Sequence, residues 1–256
     1  MRSIISLVVL ILWMVGCQNK SQHIEIMVPV EKIDSAKIEY IMGHFEPSEH
    51  EDFVLIPTEY ASREGLYLRK ETLSDYIRMH NHAAVDGISF TIRSATRNFD
   101  YQKGIWERKW TGQTILSDGT SAAEIEAEAE RASKILLYSS MPGTSRHHWG
   151  TDIDLNSFDN SYFETGQGLL EYQWLLEHAS EYGFCQSYTD KSGGRTGYEE
   201  EKWHWTYTPI STELTVYAQQ FLKDDMIKGF MGAETAPDIA VVKNYVLGID
   251  QNCFNY

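Results

Sequence analysis

The stretch Ser145-Arg146-His147-His148-Trp149-Gly150-Thr151-Asp152-Ile153-Asp154 decides how this chain is read, and Glu201-Lys202-Trp203-His204-Trp205 answers it further on. From Trp149 to Asn156 the residues alternate with period two, Ile153 and Leu155 on one face and Asp152 and Asp154 on the other. That predicts a strand with a buried apolar face and two aspartates turned into a cleft. Gly150 tolerates positive φ, so a tight bend there brings the His147 imidazole back over the strand. His147 and Asp154 can then meet at one ion although seven residues separate them. On an extended chain His148 points the opposite way, which leaves His147 as the ligand of the pair. In the second stretch Trp203, Trp205 and Tyr207 share one face, with His204 and Thr206 on the other. Glu201 lacks the parity to join His204 on a flat strand and belongs at a bend or at the strand entrance.

Two histidines and an aspartate are the donor set of a catalytic zinc site, with three protein ligands and one position left for water; the glutamate before the last histidine adds a base. On spacing alone, unrelated histidines in a histidine-containing protein fit as well.

The surrounding chain predicts an α+β domain: a small antiparallel sheet packed on helices, with the metal at its open face. Lys70 to His82 has helical spacing, with Leu73, Tyr76, Ile77 and His80 on one side, and Asp86-Gly87 ends it. Ile88 to Ile92 alternates as a strand and delivers Arg97 to its end, where a guanidinium can bind a carboxylate or serve as a surface ion-pair partner. Ser121 to Tyr138 predicts the clearest helix, with Ser121 and Glu124 in a capping-box pattern. Glu164 to Tyr182 predicts another, with Leu169, Tyr172, Leu175, Leu176 and Ala179 as its core stripe. Ser187 to Glu200 reads as a loop flanking the cleft, and Ser211 to Lys228 as a helix. In the tail, the apolar run Ile239 to Val246 lies near Cys253.

Ser145-x-His147-x-x-Gly150-x-x-x-Asp154 followed by Glu201-x-x-His204 resembles the signature of the zinc D-alanyl-D-alanine carboxypeptidases of the VanY and VanX kind, which share a fold with the hedgehog signalling domain. Ser94-Ala95-Thr96-Arg97-Asn98-Phe99-x-x-Gln102 resembles their upstream arginine element, so the likeness covers residues 70 to 210. It implies zinc ligands His147, Asp154 and His204, a general base at Glu201, and a carbonyl- or oxyanion-steadying cation at Arg97. It also implies substrate contacts at Ser145, which helps hold a terminal carboxylate, and at Gln102. Two departures stand out. Asp152 occupies a position where many relatives carry alanine, adding a charge that supports a ligand or touches the substrate, and Lys202 replaces a usual proline. The implied reaction is hydrolysis of peptidoglycan stem peptides, releasing a terminal D-alanine. An L,D-carboxypeptidase, an endopeptidase or a non-catalytic cell-wall-binding lipoprotein are the alternatives.

Ahead of the domain, Arg2 and the apolar run Ile4 to Val15 are too short for a membrane-spanning helix and end at Gly16-Cys17. This resembles the lipobox of bacterial lipoproteins, although Met14 is less usual there. It implies a signal peptide over residues 1–17, lipidation at Cys17 and an extracytoplasmic, lipid-anchored protein; an uncleaved anchor or plain secretion also places it outside the cytoplasm. Residues 18–36 read as a polar tether and 37–256 as one catalytic domain, expected to be monomeric, with a C-terminal helical extension. The net charge of −15, without a basic block, argues against a nucleic-acid partner. Cys185 and Cys253 remain for a possible disulfide tethering the tail. No serine stands three places before any lysine, which excludes a Ser-x-x-Lys serine peptidase.

Overall fold

The computed structural model describes residues 33–254, so Cys17 and the leader lie outside the described residues. The domain begins before residue 37. The Asp34 carboxylate caps helix α1 (Ser35–Ile41) by accepting from the backbone N–H groups of Ala36 and Lys37, and the Asp34 N–H donates to the Tyr217 hydroxyl at 2.9 Å. The end of the expected tether is therefore packed structure.

A hairpin, β1 (Phe53–Leu55) with β2 (Tyr67–Arg69), leads into helix α2 (Lys70–Val85). Its buried residues Thr72, Leu73, Tyr76, Met79 and Ala83 recur at helical spacing and make one apolar stripe. Strand β3 covers Ile92–Ser94 and starts four residues after the expected beginning at Ile88. Asn156, at φ +60°, takes over the pairing upstream: its N–H and side-chain Oδ1 bond the Thr91 backbone, and its Nδ2 donates to the Ser89 carbonyl. A side chain thus supplies part of what a partner strand would.

Helix α3 (Phe99–Trp110) follows, N-capped by the Asn98 side chain. The long helix expected over residues 121–138 is broken. A 3-10 turn at Ala122–Glu124 and helix α4 (Glu128–Ile135) are separated by extended backbone at Ile125 and Ala127, and Ser121 makes no side-chain cap. Glu124, Glu126, Glu128 and Glu130 would set like charges four apart in a continuous helix. Arg131 fixes the break by donating from Nε and Nη2 to the Ile125 carbonyl.

Strand β4 (Asp152–Leu155), helix α5 (Gly166–His178), β5 (Phe184–Gln186), β6 (His204–Tyr207) and helix α6 (Thr208–Phe221) complete the core. On α5, Trp174 and Leu175 are buried, but Leu176 is exposed, so the stripe sits one position earlier than expected. Helix α6 ends at Phe221, short of residue 228, and helix α7 (Ala236–Ile239) with a π-turn at Val242–Val246 forms the tail. Cys185 and Cys253 are joined by a disulfide with Cα atoms 5.6 Å apart, tying that tail to β5.

The four-stranded antiparallel sheet runs β3-β4-β6-β5. Ile92, Ile153, Leu155, Phe184, Trp205 and Tyr207 pack from one face of it against α2 and α5. A second cluster joins α1, α3, α4, α6 and the tail around Trp106, Ile135 and Leu214. Burying the first face leaves the alternate residues of β4 and β6 turned the other way.

Candidate metal centre

The β4–β6 register sets Asp154 opposite His204, Ile153 opposite Trp205 and Asp152 opposite Thr206. Directly paired side chains share a face with Cβ atoms only about 5 Å apart, so burying Ile153 and Trp205 on one side brings Asp154 and His204 together on the other. His147 comes from a 3-10 turn, Arg146–Trp149, closed by Gly150 at φ +73°. A Cβ at Gly150 would also lie 2.4 Å from the Phe53 ring, so the position needs glycine for space as well as for conformation.

The three donors converge. His147 Nε2 lies 3.2 Å from Asp154 Oδ2, and His204 Nδ1 lies 3.0 Å from Asp154 Oδ1. Together they form a buried group whose ligand atoms all fall within 4.8 Å of one another. Each imidazole spends its other nitrogen on the protein: His147 Nδ1 donates to the Ala95 carbonyl at 2.8 Å, and His204 Nε2 faces Asp152 Oδ1 at 2.9 Å. This is the second-layer support that fixes the tautomer and aim of metal-binding histidines. Two imidazoles and a carboxylate, so held, fit a divalent ion such as zinc.

Electrostatics distinguishes the two histidines. Burial, then the charge of Arg97, holds His147 below the ordinary histidine value. Burial also pulls on His204, but its bonds to Asp152 and Asp154 outweigh that and raise it to about 9. Burial alone would push both aspartates up. His147 and His204 reverse this for Asp154, Arg146 and His204 for Asp152, and both carboxyls stay well below the usual range.

Asp152 does not turn into the cleft. It is fully buried, accepts from the Thr151 and Thr206 hydroxyls as well as from Arg146, and has no open face toward a substrate. Period two places it on the side of Asp154, but the Arg146 guanidinium claims it, itself bonded to Thr206 and Thr215 and stacked 4.3 Å over Trp149. Arg146 is singled out neither by the spacing nor by the resemblance. An arginine between serine and histidine carries no periodic signal that it is buried.

His148 turns away from the centre. Its Nδ1 donates to the Arg97 carbonyl at 2.5 Å and its Nε2 accepts from the Gly143 N–H at 3.0 Å, latching the arginine segment to the turn before the metal stretch. Burial drops it to about 3, which keeps Nε2 free to accept. Glu201 stands in the turn before β6, its Oε2 3.7 Å from His204 Nδ1 and its N–H donating to the Tyr188 carbonyl. Burial pushes its carboxyl up to about 8 against the pull of His204 and Arg97.

His147, Asp154, Glu201 and His204 line one cleft of about 1020 Å³, which is also lined by Arg97, Gln102 and Ser145. Ser145 Oγ, Gln102 Oε1 and Arg97 Nε are buried there without a hydrogen-bond partner among the described residues. Gln102 Nε2 donates to the Ser140 carbonyl at 2.8 Å, which aims the amide oxygen away from it.

Residues 65–210 match the family model described as VanY, D-alanyl-D-alanine carboxypeptidase, a span holding every cleft group named above. The chain belongs to the VanY D-alanyl-D-alanine carboxypeptidase family. Among relatives of this VanY-family chain, a D-alanyl-D-alanine carboxypeptidase of Enterococcus faecalis is 28% identical over 148 residues, covering 57% of this chain and 51% of the relative. One of Enterococcus faecium is 25% identical over 162 residues, covering 63% and 44%. The chain therefore spans about half the length of these relatives. Among solved structures, the LdcB LD-carboxypeptidase shares the fold with a TM-score of 0.50 and 23% identity, over 70% of this chain and 80% of that one.

Proposed function

We propose that this protein is a zinc-dependent peptidase that hydrolyses peptidoglycan stem peptides and releases the terminal D-alanine. The observation that carries the reading is the convergence of His147 Nε2, Asp154 and His204 Nδ1 beside a buried Glu201 in one cleft. The names of its enterococcal relatives supply the substrate class.

Held by these donors, zinc would act as a Lewis acid toward both water and the scissile carbonyl. Glu201 takes a proton from the attacking water and passes it to the amine nitrogen as the C–N bond breaks. Arg97 offsets the negative charge that develops on the carbonyl oxygen. The Ser145 hydroxyl donates to the substrate's terminal carboxylate, and Gln102 Oε1 accepts from the peptide backbone. Asp152 acts through His204, whose ring it orients, and not on the substrate.

The substrate would be met outside the cytoplasm. The Gly16-Cys17 stretch supports lipid anchoring in the bacterial envelope, and no described helix is long and apolar enough to cross a membrane.

The test is incubation of purified, zinc-loaded protein with a stem pentapeptide ending in D-alanyl-D-alanine, with products identified by mass. Release of one D-alanine is expected. Removal of the last residue from a tetrapeptide instead, or a cut inside the stem, replaces the carboxypeptidase specificity with an L,D- or endopeptidase one. Intact peptide in every case returns the chain to a binding role.

A further inference from the structure

Two cations line the cleft without an ion-pair partner among the described residues. Neither Arg97 nor Lys109 forms such an ion pair, whereas Lys134, which also lines the cleft, is bound to Asp118. Lys109 lies seven residues beyond Gln102 on α3, and seven residues is close to two helical turns, so both face the same way. Its ammonium does not extend away from Gln102. Side chains on a helix lean toward its N-terminus, and Lys109 Nζ donates to Ser139 Oγ, while Gln102 Nε2 bonds the carbonyl of the next residue, Ser140. The lysine head thus sits on the segment that runs through Ser145 into the metal stretch.

Its surroundings favour an incoming anion. Burial, followed by the charge of Arg97, holds Lys109 below the ordinary lysine value, with Glu201 acting the other way. A desolvated ammonium whose hydrogen-bonding partner is a neutral hydroxyl has donor capacity to spare, since it carries three N–H groups. Arg97 has its own demand in the developing oxyanion. A carboxypeptidase substrate brings one permanent charge one residue beyond that carbonyl, the free C-terminal carboxylate.

We propose that Lys109 is a specificity residue that clamps the substrate's terminal carboxylate together with Ser145, so that this cleft selects chain ends over internal peptide bonds. The inference rests on the carboxypeptidase reading above. Ser145 supplies a neutral hydrogen bond; Lys109 supplies the charge that makes a free end worth more than an amide.

The experiment compares a stem peptide ending in a free carboxylate with the same peptide ending in a carboxamide, using the zinc-loaded parent, Lys109→Met and Lys109→Arg. A charge-assisted hydrogen bond contributes about 1.5–3 kcal/mol, so in Lys109→Met the acid-to-amide ratio of kcat/KM should fall by about tenfold to a hundredfold, mainly through KM for the acid. Lys109→Arg should recover most of that preference. Equal losses on both peptides would make Lys109 a structural residue, and an unchanged ratio would place the carboxylate elsewhere; either result overturns the assignment. Thermal melts of the variants separate misfolding from lost selectivity. If the parent releases neither D-alanine from the acid nor D-alaninamide from the amide, the carboxypeptidase reading itself fails, an outcome distinct from an unaltered ratio.

Discussion

Among the described residues, two groups of two histidines and a carboxylate come together, and they differ in nearly everything except their donors. His147, Asp154 and His204 are buried and are held by the β4–β6 pairing and a glycine-closed turn. His82, His178 and Glu181 bring their ligand atoms equally close but sit partly exposed where α2 meets the end of α5. In that second group His178 Nδ1 is satisfied by Glu181 at 3.0 Å, His82 Nδ1 meets the Tyr182 hydroxyl at 2.8 Å, and His82 packs edge-on against Trp174. It lies outside the cleft that holds Glu201 and Arg97. Donor identity is therefore a weak criterion. What separates the groups is that the first has its second nitrogens tied to groups that aim the rings, and has reacting partners beside it, whereas the second is a solvated cluster of ring contacts and ion pairs.

The hardest test of this contrast is removal of a donor from the first group. His204→Ala or Asp154→Ala should abolish both metal retention and peptidase activity, as should a chelator, with zinc restoring only the chelated parent. Retained activity in either variant would erase the distinction. Glu201→Ala separates metal holding from chemistry: the zinc content should stay near one per chain while kcat falls by about 10²–10⁴-fold, the range for a lost general acid–base. A parental rate with full zinc would remove Glu201 from the mechanism.

The support layer should show a smaller effect. Asp152→Asn keeps the shape but weakens the hold on His204 Nε2, and loss of such second-layer partners costs about 10–100-fold in metal affinity. Asp152 also partners the buried Arg146, and an unbalanced buried charge is itself destabilising. Zinc titration and the melting temperature of the metal-free protein therefore have to be measured together. An affinity change without a matching change in the metal-free melt assigns the effect to His204. A melt change alone assigns it to Arg146.

Those same residues show what was readable in the chain beforehand. The β4 alternation and the helical stripe of α2 follow from apolar periodicity, because burial of one face is a local demand that each residue records. The resemblance through Ser145, His147, Gly150, Asp154, Glu201 and His204 named the residues of the centre. The side on which Asp152 ended was not readable, since parity fixes a face but not which neighbour claims the group; Arg146 did so from a buried position that charge alone argues against. Ser121 to Tyr138 misled in the opposite way. Helix propensity is summed residue by residue, and the like charges at spacing four, with Arg131 seated on the Ile125 carbonyl, broke the element that the sum favoured. Asn156 pairing with Thr91 is likewise invisible to a two-residue period, because a side chain does the work of a strand.

The smallest effect is expected where the donor list most resembles a metal centre without its support. His82→Ala removes a ring that is 39% exposed, packs edge-on against Trp174 and lies tilted against Tyr182. Substitutions at such positions usually change stability by no more than about 0.5 kcal/mol, and the lost hydrogen bond to Tyr182 adds about 1 kcal/mol at most because water can replace it. Peptidase activity should be unaltered, and elemental analysis should give one zinc per chain both before and after the substitution. Two ions in the parent and one in His82→Ala would show that the surface group binds metal despite its exposure. The criterion of aimed, buried donors drawn from the first group would then be too strict, and convergence of ligand atoms within 4.8 Å would suffice on its own.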